Sequence, residues 1–201
     1  IDNVSIKYRE ETYKYKKLLA GVLLACKQKV NSLITRLEKK EMSKQELVSI
    51  ANMIKNQLNI LNVKNYTEFK TLKQYQKYLF NFLDRPIRVC GMVKNNGDVG
   101  GGPYFIKQGN DISLQIIEGA QVNKNNSEQK EIFLSATHFN PVDLVISTKD
   151  YKGKKFNLLK YTDPSQGLIS EKTFEDLTLK VQEKPGLWNG SMNNYKMSII
   201  K

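Results

Sequence analysis

With 201 residues, 40% of them hydrophobic, the chain is long enough for one large or two small domains and apolar enough to bury a core. Its longest apolar run, Leu18 to Cys26 with Gly21 counted, is too short to cross a bilayer, and no stretch has the pattern of a signal peptide, so a soluble, cytoplasmic protein without membrane partners is expected. The net charge of +12 invites a nucleic-acid partner, because clustered cations displace counterions from phosphates.

The texture of that charge argues against nucleic acid. Of the 32 basic residues only Arg9, Arg36, Arg85 and Arg88 are arginine, the side chain that forks onto phosphates and base edges. The lysines are scattered among glutamates, the pattern of a solvated face. An RNA-binding module remains the remote alternative. Two cysteines, Cys26 and Cys90, with a single histidine and no CxxC, argue against zinc and read as two reduced, buried thiols.

In chain order, Leu19, Val22, Leu23, Cys26, Val30, Leu33, Ile34 and Leu37 recur at three- and four-residue steps. They predict a long amphipathic helix from about Lys7 or Thr12 to Lys39. Ser43 and Glu46 form the S-x-x-E capping box of a second helix, whose stripe runs through Leu47, Ile50, Ala51, Ile54, Leu58 and Leu61. A third helix, carrying Leu72, Tyr75, Leu79, Phe82 and Leu83, ends before Pro86 because the residue preceding proline is pushed out of helical geometry.

Beyond Pro86 the character changes to strands and turns. Strands are expected over Ile87–Val93, Tyr104–Lys107, Ser113–Val122 and Leu144–Thr148, with a short helix over Ser127–Ser135 and a turn at Thr162–Gly167. The predicted organisation is therefore α/β: a mainly helical subdomain over 1–84 and a mixed sheet over 85–201. The chain opens on IDNV without methionine and closes on the strand-like YKMSIIK, which reads as a piece of a longer protein.

Three stretches carry candidate chemistry. In RPIRVCGMVKNNGDVGGGPYFI, Arg88 and Lys94 stand near the bare amides of Gly100, Gly101 and Gly102, an arrangement suited to a phosphorylated ligand, although the residue types alone favour a tight hairpin turn. It is neither a Walker loop nor a dinucleotide fingerprint. In ATHFNPVDLVI, His138, Asn140 and Asp143 crowd a turn, fit either to hold a sugar phosphate or to form an Asx-type turn before a buried strand. In EKPGLWNGSMNN, Trp188 and Asn189 suit stacking on a sugar or base, or anchoring of a loop.

Those words, RPIRVCGMVKN, GGGPY, SLQI with Glu118 and Gln121, ATHFNPVDLV, YKGKKF, DP followed by GLIS, and PGLWNGSM, resemble in order the bacterial domain-of-unknown-function family DUF4301. The opening IDNV and the YKKLLAG stretch are similar to it as well. Full-length members of that family resemble nucleotide-sugar pyrophosphorylases, so the resemblance implies the C-terminal portion of a nucleotidyltransferase-like, glycosyltransferase A-like fold. It implies a sugar phosphate or sugar nucleotide as ligand and the missing N-terminal half of the same protein as partner. Arg88 and Lys94 are the expected phosphate contacts, with His138, Asn140, Asp143, Trp188 and Asn189 on the sugar side. By the same resemblance, Asp2 is expected at a Mg²⁺ ion of the full-length protein and Asn3 at a sugar hydroxyl. A non-catalytic sugar- or nucleotide-binding protein is the alternative.

Overall fold

The computed structural model describes residues 6–58, 60, 62–97, 101–108, 111–123, 125–141, 143–162, 167–183 and 196–200. The chain is mixed α/β, with helices followed by small antiparallel sheets. It divides into two compact units: one of Ile1–Cys90, Asp143–Phe156 and Tyr195–Ile200, the other of Gly91–Val142 and Asn157–Asn194 with Lys201.

The first unit holds α1 (Arg9–Lys39), α2 (Lys44–Gln57), α3 (Leu72–Leu83), β6 (Leu144–Ile146), β9 (Lys196–Ile200) and all but the last residue of β1 (Ile87–Gly91). Along α1 the residues Leu19, Leu23, Val30, Leu33, Ile34 and Leu37 are buried, one arc of a 3.6-residue period. Val22 belongs to the expected stripe but stands 37% exposed, because it lies at the margin of the arc that Leu19, Leu23 and Leu33 define. Leu47, Ile50, Ala51 and Ile54 of α2 and Tyr75, Leu79, Phe82 and Leu83 of α3 complete the helical core. Helix α2 ends at Gln57 with Leu58 as its C-cap, and Leu61 lies outside the described residues.

Local chemistry sets the helix ends. The Ser43 side chain accepts from the Glu46 amide at 3.3 Å while the Glu46 carboxylate accepts from the Ser43 amide at 2.9 Å, which satisfies two orphan donors of the first turn. Gln76 of α3 donates to the carbonyls of Leu37 and Lys40, each at 2.8 Å, and accepts from the Met42 amide at 3.1 Å. That one side chain thus closes the end of α1 and fixes the connection to α2.

The capping box also makes stability depend on acid. The hydrogen bond from the Ser43 amide, then those from Lys40 and the Ser43 hydroxyl, lower the Glu46 carboxyl from its ordinary 4.5 to about 2. A carboxyl depressed in the folded state contributes stability that is complete above its unfolded value and is lost as the pH falls from about 4.5 through about 2. Glu46→Gln, which keeps an acceptor for the cap, is expected to reduce the loss of thermal midpoint between pH 6 and pH 2.5. An acid profile superimposable on that of the unchanged protein would show that this carboxylate does not govern the loss.

In β1, Ile87 and Val89 join the helical core, and Arg88 and Cys90 project from the opposite face by strand alternation; all four are buried. Strand β1 is central, between β6 and β9, and pairs β6 antiparallel with Arg88 opposite Ile146 and Cys90 opposite Leu144. The single strand expected over Ile87–Val93 is broken at Met92: β1 ends at Gly91, and Val93–Lys94 forms β2, which takes a different partner.

Among its described residues the second unit holds three antiparallel pairs and one α-helix. They are β2 with β5 (His138–Phe139), β3 (Gly102–Gln108) with β4 (Asp111–Ile117), and β7 (Leu168–Phe174) with β8 (Leu177–Glu183). Helix α4 (Ser127–Leu134) starts where the Asn126 side chain accepts from the Gln129 amide at 3.1 Å, an N-cap bond. The strand expected over Ser113–Val122 stops at Ile117, because Gly119–Gln121 turns into a 3₁₀ helix whose Gln121 side chain accepts from the Glu118 amide at 3.0 Å.

Candidate functional site

Most of the sequence-predicted polar residues that the structure describes lie in the second unit, where backbone pairing assembles them. Strand β2 lies against β5 with Val93 opposite Phe139 and Lys94 opposite His138. One residue further, Asn140 forms an antiparallel bridge with Gly101, its amide donating to the Gly101 carbonyl at 2.7 Å. The Asn140 side chain donates from Nδ2 to the Gly91 carbonyl at 2.6 Å. Buried at 4% exposure, Asn140 ties the strand after the helix to both ends of the glycine-containing stretch.

Asn95 secures the other side of this patch. Its amide donates to the Thr137 carbonyl at 3.0 Å and its Nδ2 to the Ala136 carbonyl at 3.3 Å, while its Oδ1 accepts from the Gly97 amide at 2.9 Å. Lys94 is exposed and His138 half-buried, with the His138 Nδ1 and the Thr137 hydroxyl hydrogen-bonded at 2.9 Å. A cation and an imidazole therefore stand side by side on neighbouring strands, on a backbone held by three side-chain hydrogen bonds of Asn95 and Asn140.

The glycines are small here because other residues come close. A Cβ on Gly101 would meet the Cγ2 of buried Ile116 at 2.5 Å, and one on Gly102 would meet the Tyr104 ring at 2.8 Å. The Tyr104 ring stacks on Phe133 of α4 at 5.4 Å, and its hydroxyl donates to the Phe133 carbonyl at 2.8 Å. Close packing of strand, ring and helix, rather than a left-handed backbone, is what Gly101 and Gly102 serve.

Two other candidates belong to the first unit. Arg88 is fully buried on the central strand, and Asp143 forms an ion pair with Lys16 of α1 at 2.9 Å. Gly100, Trp188, Asn189, Asp2 and Asn3 lie outside the described residues. Among the described residues no group of three or more His, Cys, Asp or Glu side chains is placed to hold a metal ion. Burial pushes the Cys90 thiol up to about 11, against the opposing charge of Arg88, so this cysteine stays protonated and is a poor nucleophile at neutral pH. No helix of the described residues is long and apolar enough to cross a membrane.

Sequence reasoning missed the positioning part of Asn95 and the contact of Gly101 with Ile116. The two-residue turn of β7 and β8 also escaped it. Glu175 and Asp176 both have positive φ, at 45° and 64°, between Phe174 and its partner Leu177. The alternation Leu177, Leu179, Val181 was the available signal for that hairpin.

The chain is thus a mixed α/β protein in which a short antiparallel patch gathers a lysine, a histidine and closely packed glycines. Over residues 1–201 it matches the family model described as Domain of unknown function (DUF4301), and the chain belongs to that family. No curated protein and no solved structure matches it.

Proposed function

We propose that the chain is the sugar-phosphate-binding portion of a nucleotidyltransferase-like protein with a glycosyltransferase A-like fold. The observation that carries this reading is the Gly101–Asn140 bridge, which sets Lys94, His138 and the glycine-containing stretch in one patch. In the intact protein a phosphate oxygen of a sugar 1-phosphate attacks the α-phosphorus of a nucleoside triphosphate; the bond to the β-phosphate oxygen breaks and pyrophosphate leaves. That chemistry needs positioning and charge neutralisation more than a protein nucleophile. Lys94 supplies an exposed cation for the phosphate and His138 a neighbouring donor, while Asn140, with its side-chain Nδ2 on the Gly91 carbonyl, acts as a positioning residue. Arg88, Asp143, Gly100, Trp188, Asn189 and Asn3 enter the proposal through family resemblance. So does Asp2 as a ligand for Mg²⁺: the described residues supply no carboxylate cluster for the ion, and no step is routed through it.

Calorimetric titration of the chain with glucose 1-phosphate and UDP-glucose tests the proposal. Saturable binding of either is expected, weakened about tenfold by Lys94→Ala and by His138→Ala, a loss of about 1.4 kcal/mol each. Unfolding midpoints should not move with the exposed Lys94. Binding indifferent to both substitutions, or none at all, would remove the patch from consideration. Binding without pyrophosphate release by the full-length protein would favour the non-catalytic reading, and tighter, salt-sensitive binding of RNA would replace it with a nucleic-acid module.

A further inference from the structure

A groove of about 750 Å³ opens in the first unit where the end of α1, the connection to α2 and the start of α3 meet; its lining includes Leu37, Met42, Leu72 and Phe80 with Lys73 and Lys77. Its size falls in the range of small-molecule sites, which combine apolar walls with a few polar groups. Leu37 and Met42 are buried beneath it, whereas Leu72, at 36% exposure, faces solvent. Gln76 braces the wall through its bonds to Leu37, Lys40 and Met42, so the groove is preformed.

The charges on this groove are unbalanced. Lys73 and Lys77 lie four residues apart on α3, a like-charge spacing that weakens a helix, and Lys73 sits in its first turn, where the positive end of the helix dipole disfavours a cation. No acidic residue occupies that first turn. Glu38 on the rim is already engaged, accepting from Lys152 at 2.6 Å and from Tyr151 at 2.8 Å, and nearby Glu46 takes Lys40 at 3.0 Å. Glu41, also on the rim, is exposed.

We infer that this groove binds an amphipathic anion: an acyl or aryl body seated on Leu37, Met42, Leu72 and Phe80, with a carboxylate or phosphate meeting Lys73 and Lys77. An anion there offsets the repulsion between the two lysines and interacts favourably with the N-terminal end of α3. The inference is independent of the Lys94 and His138 patch.

The test is amide-shift mapping of the ¹⁵N-labelled chain titrated separately with decanoate, decyl phosphate, decanol and inorganic phosphate. Decanoate and decyl phosphate are expected to give saturable shifts centred on residues 37–42 and 71–80, and the tighter of the two identifies the head group. Decanol and inorganic phosphate should each bind at least about tenfold more weakly. Lys73→Glu with Lys77→Glu, both exposed positions, should weaken both amphiphiles about tenfold or more, and Leu72→Asn should weaken them without affecting the fold. Absence of saturable shifts, shifts centred elsewhere, affinity unchanged in the charge-reversed protein, or decanol or phosphate binding as tightly as the amphiphiles would overturn the inference.

Discussion

Leu33→Ala is expected to lower the unfolding free energy by about 2–5 kcal/mol, the cost of deleting a buried leucine side chain and leaving part of its cavity. Leu33 is 3% exposed in the C-terminal third of α1 and belongs to the cluster that joins α1, α2, α3 and β1. The same change at Leu23, 8% exposed and nearer the sparsely covered start of the helix, should fall toward the low end, because a site closer to solvent relaxes and rehydrates more easily. Leu24 lies on the solvent side of the same helix at 67% exposure, so Leu24→Ala should stay within about 0.5 kcal/mol. Urea unfolding followed by far-ultraviolet circular dichroism checks all three. Equal effects at Leu33 and Leu24 would mean that the buried arc is not where the helix packs.

The parts of this fold legible in the sequence are those written in local chemistry. The Ser43–Glu46 box announces α2, Pro86 marks the end of α3, and the three- and four-residue spacing of leucines shows which side of each helix is buried. A strand lacks such internal pairing, since its hydrogen bonds go to another segment of the chain. Gly91, where β1 ends, is a local hint of a break, but nothing local says that β2, from Val93, takes a different partner. The hairpin of β7 and β8 was hidden for a related reason. Its turn uses Glu175 and Asp176 at positive φ, whereas the strong two-residue turn signals are Asn-Gly and Asp-Gly.

The candidate site divides in the same way. Residue types and their clustering single out Lys94, Gly101, His138 and Asn140, but not how they meet. The bond from the Asn140 side chain to the Gly91 carbonyl spans 49 positions, and an asparagine in the sequence does not say whether its amide faces a ligand or the chain itself. Asn95 reads as one of two asparagines in a turn. Only the bonds to Ala136 and Thr137 show that it fastens β2 beside β5.

The contact beneath the glycine stretch gives the second large effect. Gly101→Ala is expected to cost about 1–3 kcal/mol, the usual range for forcing an extra methyl into a filled site, and Gly101→Val more. The added Cβ meets Ile116 Cγ2 at 2.5 Å and Glu118 Cγ at 3.2 Å. The contact with Glu118 asks for a shift of only a few tenths of an ångström, whereas Ile116 is 4% exposed and branched at Cβ, so its methyl has few alternative rotamers. Backbone strain is not the cause: among the described glycines, φ is positive at Gly97 and Gly153, where open space surrounds the missing side chain. Gly21 supplies the opposite control. It lies inside α1 with nothing within 4 Å of an added Cβ, so Gly21→Ala should stabilise the chain by about 0.5–1 kcal/mol through helix propensity. A double-mutant cycle isolates the contact, because Ile116→Ala removes the opposing methyl and should cost less in the Gly101→Ala background than in the unchanged protein. Strictly additive losses would show that the clash with Ile116 is not what demands glycine at this position, and the close approach of β3 to β4 would then need another cause.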